Sequence, residues 1–258
     1  MKFLQTFVAN IRKKASQNGY VCDGCGVEIF EYPFRRLCEE CEGKMRRNDG
    51  LRCGKCGRQT LAKGVCLVCK SKMPRFDVGV SPFVYYGQTA AFVNRIKNGK
   101  RRLAYYFAEQ MTEALLRCKR IQRATEARES LLIVPVPMTE TARQNRGYNQ
   151  AEDLAEIVAQ GVAKTLEEQN VCVEYDADVL QKRKETAQQK HLTYFERAKN
   201  IEGAYHVHKR ALCKGKIVVL VDDIMTTGAT GSECAARLLG AGASEVIFLV
   251  AAALCEQK

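Results

Sequence analysis

Residues 218–230 read VVLVDDIMTTGAT: four apolar residues, two adjacent aspartates, and a turn of small and hydroxylated residues. The apolar run predicts a strand buried on both faces of a parallel sheet, and Asp222 and Asp223 would follow at its carboxyl end, where open α/β sheets bind ligands. The turn is formed by Thr226, Thr227, Gly228, Ala229 and Thr230. The free N–H groups of the helix predicted to follow would favour a phosphate in this turn. Because carboxylates repel phosphate, the aspartates would bind the hydroxyls of a sugar that carries it, so the segment predicts a ribose-phosphate site.

All thirteen positions fit the 5-phosphoribosyl-1-pyrophosphate (PRPP) signature of the type I phosphoribosyltransferases, which this segment resembles. A response-regulator receiver domain also ends an apolar strand in paired aspartates. Receivers have no such threonine-rich turn, however, and the 35 residues after Asp223 are too few to complete one. The remaining alternative is an ordinary strand-turn-helix in which Asp and Thr serve as caps.

Strand and helix patterns alternate from about residue 76 to the C-terminus. Apolar runs predict strands over 78–86, 131–136, 178–180, 204–207, 217–221 and 245–252. Helical spacing predicts helices over 88–97, 103–128, 149–168 and 231–240. Strands that alternate with helices indicate an α/β fold with a doubly wound parallel sheet.

Eight of the thirteen cysteines form four Cys-x2-Cys pairs, namely Cys22/Cys25, Cys38/Cys41, Cys53/Cys56 and Cys66/Cys69. The first and third pairs are each followed by a glycine, as in knuckles that turn tightly around a metal, and their partner pairs follow after 12 and 9 residues. This repeat predicts two sequential, structural four-cysteine zinc sites in preference to an interleaved cross-brace. An iron–sulfur cluster is the alternative, although its spacing is usually tighter.

No stretch approaches 18 apolar residues, so the sequence predicts no transmembrane segment. The first 19 residues carry apolar side chains at helical spacing, followed by a basic run at 12–14. A secretory signal would place positive charge before a longer apolar run. Residues 1–19 are therefore predicted to form an amphipathic helix and the chain to be cytoplasmic, where metal sites are favoured over disulfides.

Basic residues are concentrated near the N-terminus, since residues 1–75 hold 16 Lys and Arg against 7 Asp and Glu. Four thiolates around one zinc leave a charge of about −2, so two sites would offset about four positive charges. The remaining excess, together with a cluster at Lys97, Lys100, Arg101 and Arg102, could follow a nucleic-acid backbone. A solvated surface that balances the thiolates explains the same composition.

Further segments extend the resemblance to known proteins. They are 135–137 with Arg143 and 146–150, and then Arg183, Thr186, Gln189, Arg197 and Asn200. Together with the PRPP signature and the N-terminal cysteine pairs, they resemble the ComF family of competence-associated, phosphoribosyltransferase-like proteins over roughly residues 20–255. The second cysteine unit is a departure, because it is more than many relatives carry.

The resemblance implies a double zinc ribbon at 20–75 and a phosphoribosyltransferase-like domain at 76–258, with a hood at about 76–130. It also implies an enzyme that transfers the phosphoribosyl group of PRPP to an unidentified acceptor and releases pyrophosphate. The 5-phosphate would lie in the 226–230 turn, and Asp222 and Asp223 would bind the ribose. Mg²⁺ would bridge pyrophosphate oxygens and ribose hydroxyls, mostly through water and substrate.

By the same resemblance, the loop after the 131–136 strand binds pyrophosphate, with Arg143 or Arg146 near the leaving group. The 182–198 connection would be a lid that excludes water, because an activated ribosyl cation hydrolyses readily. Arg183, Lys184 and Arg197 are its candidate anion contacts. A solvated loop is the alternative for each of these cations.

A second hypothesis belongs to another functional class. The PRPP site would be a sensor or relic, and the zinc module and basic loops would bind single-stranded DNA during natural competence, alongside the DNA-uptake helicase machinery. The intact acid pair and the complete phosphate turn favour retained PRPP binding. They do not establish turnover, and the acceptor is not identified by the sequence.

Overall fold

A computed structural model describes residues 20–184 and 201–256. In these residues the helices are α1 (Glu39–Gly43), α2 (Leu67–Ser71), α3 (Gly87–Lys97), α4 (Arg102–Leu116), α5 (Lys119–Glu126), α6 (Glu140–Arg146), α7 (Gln150–Leu166), α8 (Arg210–Cys213) and α9 (Ala229–Gly240). The strands are β1 (Val78–Val80), β2 (Phe83–Val84), β3 (Leu131–Pro135), β4 (Val173–Tyr175), β5 (Leu180–Lys182), β6 (Tyr205–Val207), β7 (Ile217–Met225) and β8 (Glu245–Ala253). The helix predicted over 1–19 and most of the predicted lid lie outside the described residues.

The main sheet has the strand order β1-β8-β7-β3-β4, and β2 pairs with the far end of β8. Every one of these pairings is parallel. β7 is the central strand, with Val221 opposite Pro135 on one side and Leu249 on the other. Residues 217–221 are fully buried, as a strand covered on both faces must be. This arrangement delivers the acid pair to the carboxyl edge of the sheet.

Helices cover both faces of the sheet, so the predicted doubly wound α/β fold is confirmed. α4 and α7 pack on one face, where Phe107, Leu154 and Val219 belong to the same buried cluster. α9 packs on the other face, where Leu238 lies in a cluster with Phe248. Among the described helices none is both long and apolar enough to span a bilayer.

The predicted long helix over 103–128 is wrong in one respect, because it is two helices. α4 ends at Leu116 and α5 begins at Lys119, and between them Cys118 adopts an extended backbone with φ −69° and ψ 122°. Ile121 and Ala124 remain buried after this break. Periodicity alone does not detect the break, because both segments carry an apolar face.

Four strand predictions also differ from the structure, and one of them is β5, which covers Leu180–Lys182 where 178–180 was predicted. β7 continues to Met225, so the aspartates lie within the last part of the strand and not beyond it. β4 pairs with β3 at the sheet edge and was not predicted, since its short sequence has only half-buried or exposed side chains. The strand predicted over 78–86 is interrupted between β1 and β2.

β5 and β6 form a separate antiparallel hairpin, with Lys182 opposite Tyr205. β6 packs against α9, and Tyr205 is 5% exposed. The predicted lid over 182–198 lies within the connection between these two strands. The described ends of that connection are joined by the Arg183 N–H, which donates to the Ala204 carbonyl at 2.8 Å.

Candidate active site and metal centres

A cleft of about 850 Å³ lies at the carboxyl ends of β3 and β7, and it is called the β7 cleft below. The acid pair and the 226–230 turn line it. The other elements of its wall contribute Tyr85, Asn94, Lys97 and Asn98 from the predicted hood, Val136 and Met138 from the loop after β3, Arg146 from the end of α6, and Lys182 and Tyr205 from the hairpin. Four elements that are distant in the chain therefore meet around one opening.

The two aspartates have different environments. Asp223 is 4% exposed, and its Oδ2 lies 3.1 Å from the Lys97 ammonium of α3. Asp222 accepts a hydrogen bond at Oδ1 from the Asp223 backbone N–H at 2.8 Å. Burial, and then the neighbouring Asp223 carboxylate, raise the pKa of Asp222 well above its usual range. The cleft thus holds one ion-paired carboxylate and one whose ionised form is disfavoured.

The turn at 226–230, called the phosphate turn below, leads directly into α9. Gly228 has φ +81°, a left-handed conformation that favours glycine, and it caps the helix. The Thr227 hydroxyl accepts a hydrogen bond from the Ala229 N–H at 3.3 Å. Backbone N–H groups at the start of a twelve-residue helix, with the helix dipole behind them, are suited to an anion.

The predicted cations of the site separate into two groups. Arg146 lines the β7 cleft, and its guanidinium donates to the Gln150 amide oxygen at 2.6 Å. Arg143 does not line the cleft and instead makes a two-point ion pair with Glu152, at 2.8 and 2.6 Å. Arg183 is exposed at the end of β5 and is also outside the lining, and Arg197 lies outside the described residues.

Lys182 and Lys97 are cleft cations that were not among the predicted site residues. Lys182 directly precedes Arg183, and successive side chains of an extended chain point to opposite sides. Only one of the two therefore faces the cleft. It is Lys182, which the sequence alone does not indicate. Lys97 was grouped with a basic surface. It reaches the cleft because Tyr148 anchors the end of α3, donating to the Ile96 carbonyl and accepting from the Gly99 N–H at 3.1 Å.

The predicted basic cluster at 97–102 is largely used within the fold. Lys97 contacts Asp223, the Arg101 guanidinium lies 2.6 Å from Asp153, and Arg102 lies 3.0 Å from Asp23. These contacts tie the hood to the rest of the chain. They leave less free charge for a nucleic-acid backbone than the composition indicates.

Another cavity, of about 700 Å³, lies among β1, the segment around Arg52 and the junction of α4 and α5; it is called the basic cavity below. Its cations are Arg47, Arg52, Arg117, Lys119, Arg120 and Arg123, against Asp49 and Glu113. Arg120 is paired with Glu129 and Glu245. This surface was not predicted from the sequence, because its cations come from two segments that are far apart in the chain.

Both cysteine groups are assembled as the sequential pairing predicts. Cys22, Cys25, Cys38 and Cys41 form one cluster, Cys53, Cys56, Cys66 and Cys69 form the other, and the ligand atoms within each lie within 4.8 Å of one another. The segments that carry them, 21–43 and 52–71, are called the first and second units. Each cluster can hold a metal ion.

The two units are structural repeats. In each, the sulfur of the first cysteine accepts hydrogen bonds from the N–H groups of the second and third cysteines. The knuckle glycines, Gly26 and Gly57, have φ +80° and +70°, and a short helix follows the third cysteine. A hydrogen bond with Cys69, and then the charge of Arg58, lower the pKa of Cys56 to about 4, and the same hydrogen bond raises the pKa of Cys69.

The units contact different parts of the chain. The first unit lies against the hood, where Arg95 donates to the Gly24 carbonyl, and the Asp23 carboxylate is buried beside Arg102. Burial raises the pKa of Asp23. The second unit lies against the phosphate turn, because Arg58 donates to the Thr226 carbonyl at 2.7 Å.

Comparison with known protein families agrees with this geometry. The family model described as phosphoribosyl transferase domain matches residues 150–257. The matched span contains the acid pair, the phosphate turn and both strands of the hairpin.

Curated relatives align with most of the chain. The DNA utilization protein YhgH of Salmonella typhimurium is 27% identical over 212 residues, which cover 81% of this chain and 87% of that protein. Competence protein F of Haemophilus influenzae is 24% identical over 237 residues, covering 90% of this chain and 89% of the relative. Competence protein ComFC of Bacillus subtilis is 23% identical, covering 81% of this chain and 80% of the relative.

Proposed function

We propose that the chain is a ComF-like, competence-associated phosphoribosyltransferase-like protein that binds PRPP in the β7 cleft and transfers the phosphoribosyl group to an acceptor. The observation that carries this proposal is the junction of β7 and α9. There the acid pair lies two residues before a turn whose left-handed glycine caps the following helix. Carboxylates for ribose hydroxyls and N–H groups for the 5-phosphate are thus adjacent in one wall.

Charge placement supports the assigned roles. The bond from the anomeric carbon to pyrophosphate breaks, and the acceptor forms a new bond to that carbon and loses a proton. Asp222 and Asp223 would bind the ribose hydroxyls, and the ion-paired carboxylate of Asp223 would offset positive charge on the ribose in the transition state. Arg146 and Lys182 would face the negative charge of the leaving group, since both line the cleft.

The ribose hydroxyls would compete with Lys97 for Asp223. Their ion pair is 3.1 Å long and joins the hood to the floor of the cleft. Binding of PRPP would therefore disturb or replace a contact of the unliganded protein. Lys97 would then be available to the acceptor or to a phosphate oxygen.

The carboxylates that line the cleft fit a magnesium ion held mainly by substrate. The two aspartates are the acidic side chains in its described lining, and Asp223 is already paired with Lys97. Mg²⁺ keeps several waters and usually binds through one or two carboxylates together with substrate phosphates. When bound it would neutralise charge on the departing pyrophosphate.

We further propose that both cysteine clusters hold zinc. Zn–S bonds of about 2.3 Å in a tetrahedron require sulfur atoms about 3.8 Å apart. The Cys25 and Cys38 sulfurs are 3.6 Å apart, and those of Cys56 and Cys66 are 3.7 Å apart. Four cysteine ligands leave no open position, so these sites would support the fold and not the chemistry.

The test of PRPP binding is calorimetry with PRPP and Mg²⁺, followed by a pyrophosphate-release assay over a panel of bases and single-stranded DNA. Replacing Asp222 and Asp223 with alanine should abolish measurable binding while the circular dichroism spectrum is retained. Unchanged PRPP affinity in the double variant would remove the ribose assignment. Binding of PRPP without pyrophosphate release in the presence of any acceptor tested would favour a sensor over an enzyme.

The basic cavity favours a second candidate function, the binding of single-stranded DNA. Arg52, Lys119 and Arg123 are exposed there. Neutralised phosphates of single-stranded DNA contribute about −0.7 each to the slope of log affinity against log salt. Replacing these three cations with alanine should flatten that slope, whereas a charge-matched control at Lys63, Lys70 and Lys72 should not. Equal effects of both variants would leave only a non-specific electrostatic attraction.

A further inference from the structure

Arg58 is a buried cation that the proposed chemistry does not use. It follows the knuckle glycine of the second unit, it is 3% exposed, and it does not line the β7 cleft. Its Nε donates to the Cys56 sulfur at 3.2 Å, and its Nη2 donates to the Thr226 carbonyl at 2.7 Å. One guanidinium thus bridges a metal-ligand sulfur and the first residue of the phosphate turn, which are 170 positions apart in the sequence.

The repeat supplies an internal comparison for this position. Val27 follows the knuckle glycine of the first unit, as Arg58 follows that of the second. The backbone carbonyl of each residue accepts a hydrogen bond from the N–H of the first cysteine of its unit. The distance is 2.7 Å for Val27 and 2.9 Å for Arg58. Val27 is 52% exposed, however, whereas Arg58 is buried. A four-cysteine knuckle therefore does not itself require an arginine here.

The bond to Thr226 has a stereochemical consequence for the turn. In a trans peptide the carbonyl and the following N–H point in opposite directions. Arg58 lies outside the cleft lining, and it holds the Thr226 carbonyl on the side away from the cleft. The Thr227 N–H therefore points toward the cleft, which Thr227 lines. An N–H that faces the cleft is what an anion requires.

Neighbouring contacts strengthen the same junction. The Arg75 N–H, just beyond the second unit, donates to the Ser232 hydroxyl of α9 at 3.0 Å. The Phe76 ring packs on the Phe248 ring, with centroids 5.2 Å apart. A Cβ added at Gly228 would lie 3.7 Å from Cε1 of Phe76. The second unit and the segment after it therefore back the phosphate turn along its length.

We propose that Arg58 is a positioning residue through which the second cysteine unit holds the phosphate turn in its anion-binding form. A filled four-thiolate site carries a net negative charge, which keeps the guanidinium in place while it grips the carbonyl. PRPP affinity then depends on the state of the second metal site and not directly on that of the first. This inference rests on the assignment of the turn as the 5-phosphate site.

Arg58→Val is the matched variant, because it gives the second knuckle the residue that the first already carries. Lys63→Val, at an exposed cation of the same unit, is the control. Amide hydrogen exchange of the peptide spanning 222–232 is measured without ligand, and calorimetry with PRPP and Mg²⁺ follows. We expect faster exchange in this peptide and a PRPP affinity lowered about tenfold or more, as for the loss of a hydrogen bond to a charged group.

Measuring the metal content of each variant distinguishes a positioning role of Arg58 from loss of the second metal site. Arg58→Val is expected to keep the wild-type metal content, and unchanged exchange and affinity in that state would overturn the proposal. If Arg58→Val loses metal, Arg58→Lys decides, because it retains the charge beside the thiolates and lacks the planar fork that bridges both partners. Arg58→Lys with full metal and wild-type exchange and affinity would equally refute the inference.

The exchange measurement also separates this proposal from the proposed function. A wild-type protein that fails to bind PRPP would refute the ligand assignment. The coupling would still be tested by hydrogen exchange, since Cys69→Ser should loosen the 222–232 peptide and Cys25→Ser should not. Equal exchange in the two cysteine variants would contradict a selective link between the second unit and the turn.

Discussion

Gly228→Ala tests whether the phosphate turn needs its left-handed residue. Gly228 has φ +81°, and the atoms nearest to an added Cβ would be Met225 Sδ and Phe76 Cε1, both at 3.7 Å. These distances are ordinary van der Waals contacts, so the substitution costs conformational free energy and not steric overlap. A left-handed alanine costs about 1–2 kcal/mol, and the stiffer unfolded chain recovers about 0.4–1 kcal/mol of it.

The expected net loss is about 1 kcal/mol of unfolding free energy, or about 2–4 °C in Tm for a chain of this size. Gly240→Ala is the matched control, since Gly240 lies in α9 with no heavy atom within 4 Å of an added Cβ. That control should be neutral or gain up to about 1 kcal/mol. Urea unfolding of both variants measures the difference.

PRPP affinity supplies the functional half of the test. If Gly228→Ala relaxes the backbone toward negative φ, the N–H groups of the turn rotate away from the anion. The loss of one such contact to a charged phosphate costs about 1.5–3 kcal/mol, and thus about a tenfold or greater loss of affinity. Gly240→Ala should bind as the wild type does. A Gly228→Ala protein that matches the wild type in both stability and affinity would refute the assigned geometry of the turn.

Other predictions follow from burial and pairing. Cys22→Ser should empty the first metal site and leave the second filled, so elemental analysis should fall from two zinc ions per chain to one; loss of both would contradict the sequential pairing. Gly57→Ala should abolish stable folding of the second unit, because its Cβ would lie 2.1 Å from the Gly79 carbonyl oxygen. Urea midpoints equal to those of the wild type would contradict that packing. Because burial and Asp223 raise the pKa of Asp222, folding stability should decline as pH rises from the ordinary aspartate pKa through the raised one. The stability of Asp222→Asn should lack this decline. Parallel profiles of unfolding free energy against pH for the variant and the wild type would refute the raised pKa of Asp222.

The sequence predicted those features that depend on short segments. The β7 apolar run, the turn after it and the repeated cysteine spacing each specify their local structure, because burial on both faces, a left-handed glycine and four clustered thiols leave few alternatives. The β7 cleft was predicted for the same reason, since the carboxyl ends of parallel strands lie at one edge of the sheet. These elements are correct to within a few residues.

Features that depend on distant pairing were not predictable in this way. Arg101 and Arg102 belong to a run of cations, and their ion pairs with Asp153 and Asp23 exist only once α4 lies between α7 and the first unit. In the sequence, Arg58 likewise cannot be distinguished from an ordinary surface arginine, because its burial depends on the distant turn at Thr226. Charge in a sequence therefore overstates the free charge on the surface, because the fold decides which cations become internal.

The two cysteine units contact different walls of the cleft. These contacts give the second unit, which many relatives lack, a structural role of its own. The first is joined to the hood, as Gly24 approaches Phe92 so closely that an added Cβ would lie 2.7 Å from its ring. The second is joined through Arg58 to the phosphate turn. The walls meet at the pair of Lys97 and Asp223, which PRPP would have to open. A ligand that separates this pair acts on both walls, so loss of the first unit should alter recognition at the hood, while loss of the second unit should alter capture of the phosphate.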